Sequence, residues 1–127
     1  MDKPRRILLV DDDPGIREVA RAVLEMVGGY DVETAASGLE GLEKARISPP
    51  DAIVLDVMMP GLDGPATFAL LQEQTETCGV PVILLTAKTQ AADRSRFASI
   101  GVAGMLAKPF DPMALSDQVA GILGWES

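Results

Sequence analysis

Four segments of the chain place chemically useful groups directly after apolar runs. Ile7-Leu8-Leu9-Val10 meets Asp11-Asp12-Asp13; Ala52-Ile53-Val54-Leu55 ends on Asp56; Val80 to Leu85 ends on Thr86; and Val102 to Ala107 ends at Lys108-Pro109. A continuous apolar run of this length is what a strand buried on both faces of a parallel sheet requires, and such sheets bind ligands beyond the carboxyl ends of their strands. Singly, each group has a bland role: Asp56 as a turn acid, Thr86 as a strand end, Lys108 as a solvated cation. If the strands are parallel, all of them emerge on one edge. Clustered carboxylates repel, and a hard divalent cation relieves that cost; Mg²⁺ takes oxygen ligands, keeps waters and leaves a position for a phosphoryl oxygen. Lys108 can set a point charge against a phosphoryl group and Thr86 can donate a hydrogen bond to it. The set is suited to phosphoryl transfer to Asp56.

The elements that must position these groups follow from spacing. After Ile7–Val10, Asp13-Pro14 combines an N-cap residue with a proline at the first helical position. Ile16, Val19, Ala20, Val23, Leu24 and Val27 then recur at helical spacing until Gly28-Gly29. Tyr30, Val32 and Thr34 predict a short strand. Ser37 and Glu40 fit a capping box for a second helix that runs toward Ile47 and is broken by Pro49-Pro50. Gly64-Pro65 opens a third helix with Phe68 and Leu71 inward, while Asp63 and Gly64 shape the preceding turn. Thr89 to Ile100 predicts a more polar helix stopped by Gly101. Asp111-Pro112 repeats the cap-and-proline opening for a last helix with Leu115, Val119, Ile122 and Leu123 buried. Five strands alternating with five helices predict a doubly wound α/β fold, since right-handed crossovers place helices over both faces of a parallel sheet. Periodicity gives the class and not the strand order, for which the flavodoxin-like 2-1-3-4-5 is the natural expectation.

Composition narrows the function. The 127 residues fit one domain, 1–127, with a core that needs no disulfide. The single cysteine, Cys78, excludes an internal disulfide and argues against a thiolate metal site. Apolar runs are far shorter than the roughly 18 residues of a membrane span, and Asp11-Asp12-Asp13 cuts off any signal-peptide reading of the basic N-terminus, so a cytoplasmic protein is expected. A net charge of −8 opposes binding to nucleic acid. With no histidine in the chain, imidazole bases and ordinary zinc sites are excluded, and any phosphohistidine must belong to a partner.

Val10-Asp11-Asp12-Asp13, Leu55-Asp56 with Met59-Pro60-Gly61-Leu62-Asp63-Gly64, Leu85-Thr86-Ala87 and Lys108-Pro109-Phe110 together resemble the motifs of response-regulator receiver domains of two-component signalling. Each match is short, but their order and spacing are specific. The resemblance implies that Asp56 attacks the phosphorus of a phosphohistidine on a histidine kinase or histidine phosphotransfer protein. It implies Mg²⁺ held by Asp12, Asp56 and the main-chain carbonyl of Met58, with Asp11 acting through water, and a cis Lys108-Pro109 bond. It also implies that Thr86 and Lys108 sense the phosphoryl group and shift the face of the fourth helix, fifth strand and fifth helix toward an output partner or fused effector. The side chains of Met58 and Lys88 occupy the positions that modulate hydrolysis. Such a domain is no enzyme beyond its own phosphorylation and slow dephosphorylation. Met105 departs from the pattern, which places Tyr or Phe there; a flexible thioether specifies one orientation less firmly than a ring does.

Two other functions compete. Asp11-Asp12-Asp13 offers the Asp-x-Asp of haloacid-dehalogenase-type phosphohydrolases, but Gly15 stands where that class has Thr or Val. A receiver used purely for docking is suggested only by Met105. No effector sequence follows Trp125, so a stand-alone receiver and a piece of a longer regulator are both compatible with the sequence.

Overall fold

The computed structural model describes residues 3–87 and 91–125. In chain order these form β1 (Arg6–Val10), α1 (Pro14–Met26), β2 (Asp31–Ala35), α2 (Gly38–Ile47), β3 (Ala52–Asp56), α3 (Gly64–Glu73), β4 (Val82–Thr86), α4 (Ala91–Ser99), β5 (Gly104–Ala107) and α5 (Leu115–Leu123). The strands make one parallel sheet in the order β2-β1-β3-β4-β5, the flavodoxin-like arrangement expected.

Strand alternation divides the core into two layers. Ile7 and Leu9 of β1, Val54 of β3, and Ile83 and Leu85 of β4 join Ala20 and Leu24 of α1 and Leu115 and Val119 of α5. Leu8, Val10, Ile53, Leu55, Val82 and Leu84 point the other way, against Leu42 of α2, Phe68 and Leu71 of α3 and Phe97 of α4. Each fully buried Leu, Ile or Phe contributes about 1.5–3 kcal/mol, and the sheet is held from both sides.

The caps read from sequence form with one variation. Asp13 Oδ1 accepts from the Gly15 and Ile16 amides at 2.8 and 3.3 Å. Ser37 Oγ accepts from the Glu40 amide at 3.1 Å, while Glu40 reaches back to the Ala36 amide at 2.7 Å, one residue beyond the usual partner. Gly29 stops α1 with a φ of +72°, a left-handed conformation that glycine takes without penalty.

Several expectations need correction. Asp111-Pro112 does not open α5: the Asp111 carboxylate accepts from the Met113 amide and its carbonyl from the Ala114 amide, both at 3.0 Å. These bonds close a turn over 112–114 that runs into α5, which starts at Leu115 with no side-chain cap. Asp63, read as a turn residue, is the N-cap of α3 and accepts from the Ala66 amide at 2.9 Å. Val80 lies before β4, because its amide is taken by the Thr77 carbonyl and Pro81 has no amide to give the ladder. β5 starts at Gly104 rather than Val102. Val19 and Val27, expected on the buried stripe of α1, are about half exposed. Thr89, the expected start of the fourth helix, lies outside the described residues. At the amino ends of the strands, Trp125 packs against Tyr30, with ring centroids 5.6 Å apart, and under the Arg5 guanidinium.

Candidate functional site

Register aligns the strand ends. Val10 pairs with Leu55, Asp56 with Leu85 and Thr86 with Ala107, so the residue after β1, the last residues of β3 and β4, and the residue after β5 share one edge. The carboxylates of Asp11, Asp12 and Asp56 lie there with one oxygen of each within 4.8 Å of the others. Asp11 and Asp56 are buried and Asp12 is exposed, which leaves the cluster open to solvent on one side.

Lys108 bridges the two buried acids, its Nζ 3.0 Å from Asp11 Oδ2 and 3.2 Å from Asp56 Oδ2. The Lys108 amide donates to the Thr86 carbonyl at 2.9 Å, tying the ends of β4 and β5 together. Thr86 is buried at the end of β4. The Lys108-Pro109 bond is cis. Asp11 Oδ1 accepts from the Asp13 amide at 2.9 Å and Asp56 Oδ1 from the Met58 amide at 3.4 Å. Asp56 Oδ2 is fully buried and accepts no hydrogen bond from a described residue, its contact with Lys108 being an ion pair only.

Burial, and then the charge of Asp11, raise the Asp56 carboxyl above its ordinary range; Lys108 pulls it back without cancelling the shift. Burial works against the Lys108 ammonium, but its hydrogen bond and ion pair with Asp11, followed by its ion pair with Asp56, outweigh this and raise its pKa. The donor set fits Mg²⁺. Three carboxylates supply hard oxygen ligands, one buried oxygen is not hydrogen-bonded, and no described residue donates to the Met58 carbonyl. The Met58 side chain is exposed.

The loop after β3 is fitted tightly. The Gly64 amide donates to the Val57 carbonyl at 3.0 Å. A Cβ at position 64 would stand 2.5 Å from the Asp56 carbonyl oxygen and 2.8 Å from Val57 Cα. Met105, which pairs with Leu84, is half-buried against the core layer that holds Phe97. Lys88 lies outside the described residues. Sequence reasoning missed Arg17, whose Nη1 donates to the Asp11 carbonyl at 2.7 Å. The available signal was helical spacing: four residues after the cap, on the first turn of α1, a long side chain can reach back to the strand end.

The family profile of the response regulator receiver domain matches residues 7–120, a span that holds every group described above. The chain belongs to this family. The receiver is 37% identical over 123 residues to response regulator Rre1 of Synechocystis, covering 97% of this chain and 53% of that one. It is 40% identical over 119 residues to the alkaline phosphatase synthesis transcriptional regulatory protein PhoP of Bacillus subtilis, covering 94% and 48%. The receiver thus spans about half the length of these curated relatives. Among solved structures it is similar to chemotaxis protein CheY4 of Vibrio cholerae, with a TM-score of 0.87, 32% identity and coverage of 94% and 99%. It is also similar to the receiver domain of sensor histidine kinase PA1611 from Pseudomonas aeruginosa, which has a magnesium ion coordinated in its active site cleft, with a TM-score of 0.84, 33% identity and coverage of 96% and 99%. No helix among the described residues is long and apolar enough to cross a membrane.

The electrostatics of the receiver site have a direct consequence for stability. Because the folded protein holds the Asp56 proton more tightly than the unfolded chain does, stability falls as pH rises through the ordinary and then the raised pKa, and the cost is complete above both. In chelator at neutral pH, Asp56→Asn is expected to raise stability on the order of 1 kcal/mol, seen as a Tm several degrees higher. The advantage should shrink as pH falls below the carboxylate range. A variant that melts at or below the wild-type temperature at neutral pH would show that the ionised carboxylate is not a burden.

Proposed function

We propose that the chain is the phosphoacceptor receiver of a two-component system and that Asp56 takes a phosphoryl group from a phosphohistidine of a histidine kinase or histidine phosphotransfer protein. An Asp56 carboxylate oxygen forms a bond to phosphorus as the bond to the imidazole nitrogen breaks, and the bonding pair leaves with the imidazole. The observation that carries this reading is the buried Asp56 carboxylate, with an oxygen that accepts no hydrogen bond from a described residue, beside two further acids and an ammonium. Asp12, Asp56 and the Met58 carbonyl would hold Mg²⁺, with Asp11 acting through water. When bound, the ion supplies positive charge against the phosphoryl oxygens. Lys108, already between Asp11 and Asp56, would move its charge onto a transferred phosphoryl group, and Thr86 would donate a hydrogen bond to it. The Met58 and Lys88 side chains modulate hydrolysis of the phosphoaspartate.

The first test is a magnesium titration at constant ionic strength. An ion that binds the folded cluster and has no comparable site in the unfolded chain stabilises by roughly 1.4 kcal/mol at ten times its dissociation constant. Asp12→Ala should lose most of this gain. A wild-type Tm that does not move with magnesium would remove the metal from the proposal.

Signalling then follows from a shift in the face made by α4, β5 and α5 toward an output partner or fused effector, an equilibrium that Thr86 and Lys108 bias once they engage phosphate. Met105 packs through a flexible chain against the core layer that holds Leu84 and Phe97, and the reading expects a smaller shift on this face than a ring at 105 would give. Trp125 sits at the opposite ends of the strands, so backbone amide shifts with a phosphoryl mimic are the better probe. Met105→Tyr should enlarge the displacements across α4 and α5. Equal displacements in the two proteins would refute a weakened switch.

A further inference from the structure

Asp12 has an unusual position among the three acids. It is exposed, and its carboxylate makes no hydrogen bond or ion pair to a described residue, yet one of its oxygens lies within 4.8 Å of the carboxylate oxygens of Asp11 and Asp56. Its placement therefore comes from its main chain. The two peptide planes flanking Asp12 are both pinned. The one before it carries the Asp11 carbonyl, which accepts from Arg17 Nη1 at 2.7 Å; the one after it carries the Asp13 amide, which donates to Asp11 Oδ1 at 2.9 Å. Asp11 is itself fixed by its amide on the Ala35 carbonyl at 3.1 Å and by its carboxylate on Lys108. Of these restraints, only the one from Arg17 reaches the Asp11–Asp12 peptide from a side chain that touches none of the three carboxylates.

The geometry points to Arg17 as a positioning residue for the metal site: its guanidinium holds the Asp11–Asp12 peptide plane so that the unsupported Asp12 carboxylate faces Asp56. This deepens the Mg²⁺ reading proposed above and rests on it. A charged donor on a carbonyl makes one of the stronger hydrogen bonds available, and helix α1, which begins one residue after Asp13, gives the side chain a rigid base. Residues that orient ligands in this way typically change metal affinity by about 10–100-fold when replaced.

The sign of the effect separates positioning from simple electrostatics. Arg17 is a cation close to a cation site. If it acts only through its charge, removing it should tighten Mg²⁺ binding; if it positions Asp12, removing it should weaken binding. If it serves only the fold, the melting temperature in chelator should fall while Mg²⁺ affinity stays the same.

The experiment measures Mg²⁺ affinity from amide shifts of the β1–α1 loop, the melting temperature in chelator, and phosphorylation by a small acyl phosphate at saturating Mg²⁺, for wild type, Arg17→Met, Arg17→Gln and Arg17→Lys. Arg17→Met is expected to weaken Mg²⁺ about tenfold, with phosphorylation largely restored once Mg²⁺ saturates. Arg17→Gln, uncharged and too short to reach the carbonyl, carries the same expectation and replaces Arg17→Met should that variant not fold. Arg17→Lys, long enough to reach, should stay near wild type. Unchanged or tighter Mg²⁺ binding in the uncharged variants overturns the inference while leaving the metal site intact. Absence of Mg²⁺ binding in wild type overturns the metal reading itself, and the inference with it.

Discussion

Exposed to a small acyl phosphate and Mg²⁺, the wild-type protein is expected to gain a single phosphate adduct by intact mass, and Asp56→Asn is expected to gain none. The loss should be complete, because no other carboxylate among the described residues combines the features of Asp56. Asp11 is as buried as Asp56 but has both oxygens occupied, by the Asp13 amide and Lys108. Asp12 is exposed and lacks the adjacent ammonium, for Lys108 pairs with Asp11 and Asp56. An amide is a far poorer nucleophile than a carboxylate, and the substitution changes almost no volume, so the fold should be retained. The melting curve supplies the control: a folded Asp56→Asn that still takes phosphate would move the acceptor to another residue.

The second large effect is expected at a residue with no side chain. Gly64→Ala brings a methyl group to 2.5 Å from the Asp56 carbonyl oxygen and 2.8 Å from Val57 Cα. Both neighbours are main-chain atoms at the end of β3 and cannot rotate away. The loop must shift, at a cost of about 1–3 kcal/mol by the usual scale of overpacking. That shift acts on Asp56, the proposed acceptor, and on the Met58 carbonyl two residues on. Lower Tm together with lost phosphorylation is the expected result. A mutant that melts earlier yet is phosphorylated at the wild-type rate would show that the loop relaxes without moving Asp56. Gly79→Ala is the companion control, since a Cβ there meets nothing within 4 Å.

The fold class was legible because it rests on redundant signals. Four apolar runs, each ending in punctuation, leave little choice of element, and alternation of strand with helix leaves little choice of architecture. Asp11, Asp12, Asp56, Thr86 and Lys108 could be grouped because parallel strands end on a common edge. Two kinds of information were out of reach. Asp13-Pro14 and Asp111-Pro112 are identical as dipeptides, but the first caps α1 directly and the second closes a turn ahead of α5, with no side-chain cap on that helix. Arg17 escaped for a related reason: it donates to a main-chain carbonyl, and a carbonyl has no letter in the sequence. Val19 and Val27 share the helical period of the buried residues of α1, but the sheet covers a narrower arc than the period marks out.

The ion pair between Lys108 and Asp11 joins positions 97 residues apart in the chain. During synthesis, both acids leave the ribosome long before their ammonium does, and until β5 docks on β4 the pair of buried carboxylates has no cation to share. Burying them in that interval would leave two like charges uncompensated, which disfavours closure of the edge before the last strand arrives. The carboxylate cluster is thus paired with its cation only once β5 has been made. On the function proposed above, a receiver truncated before β5 is expected to take no phosphate.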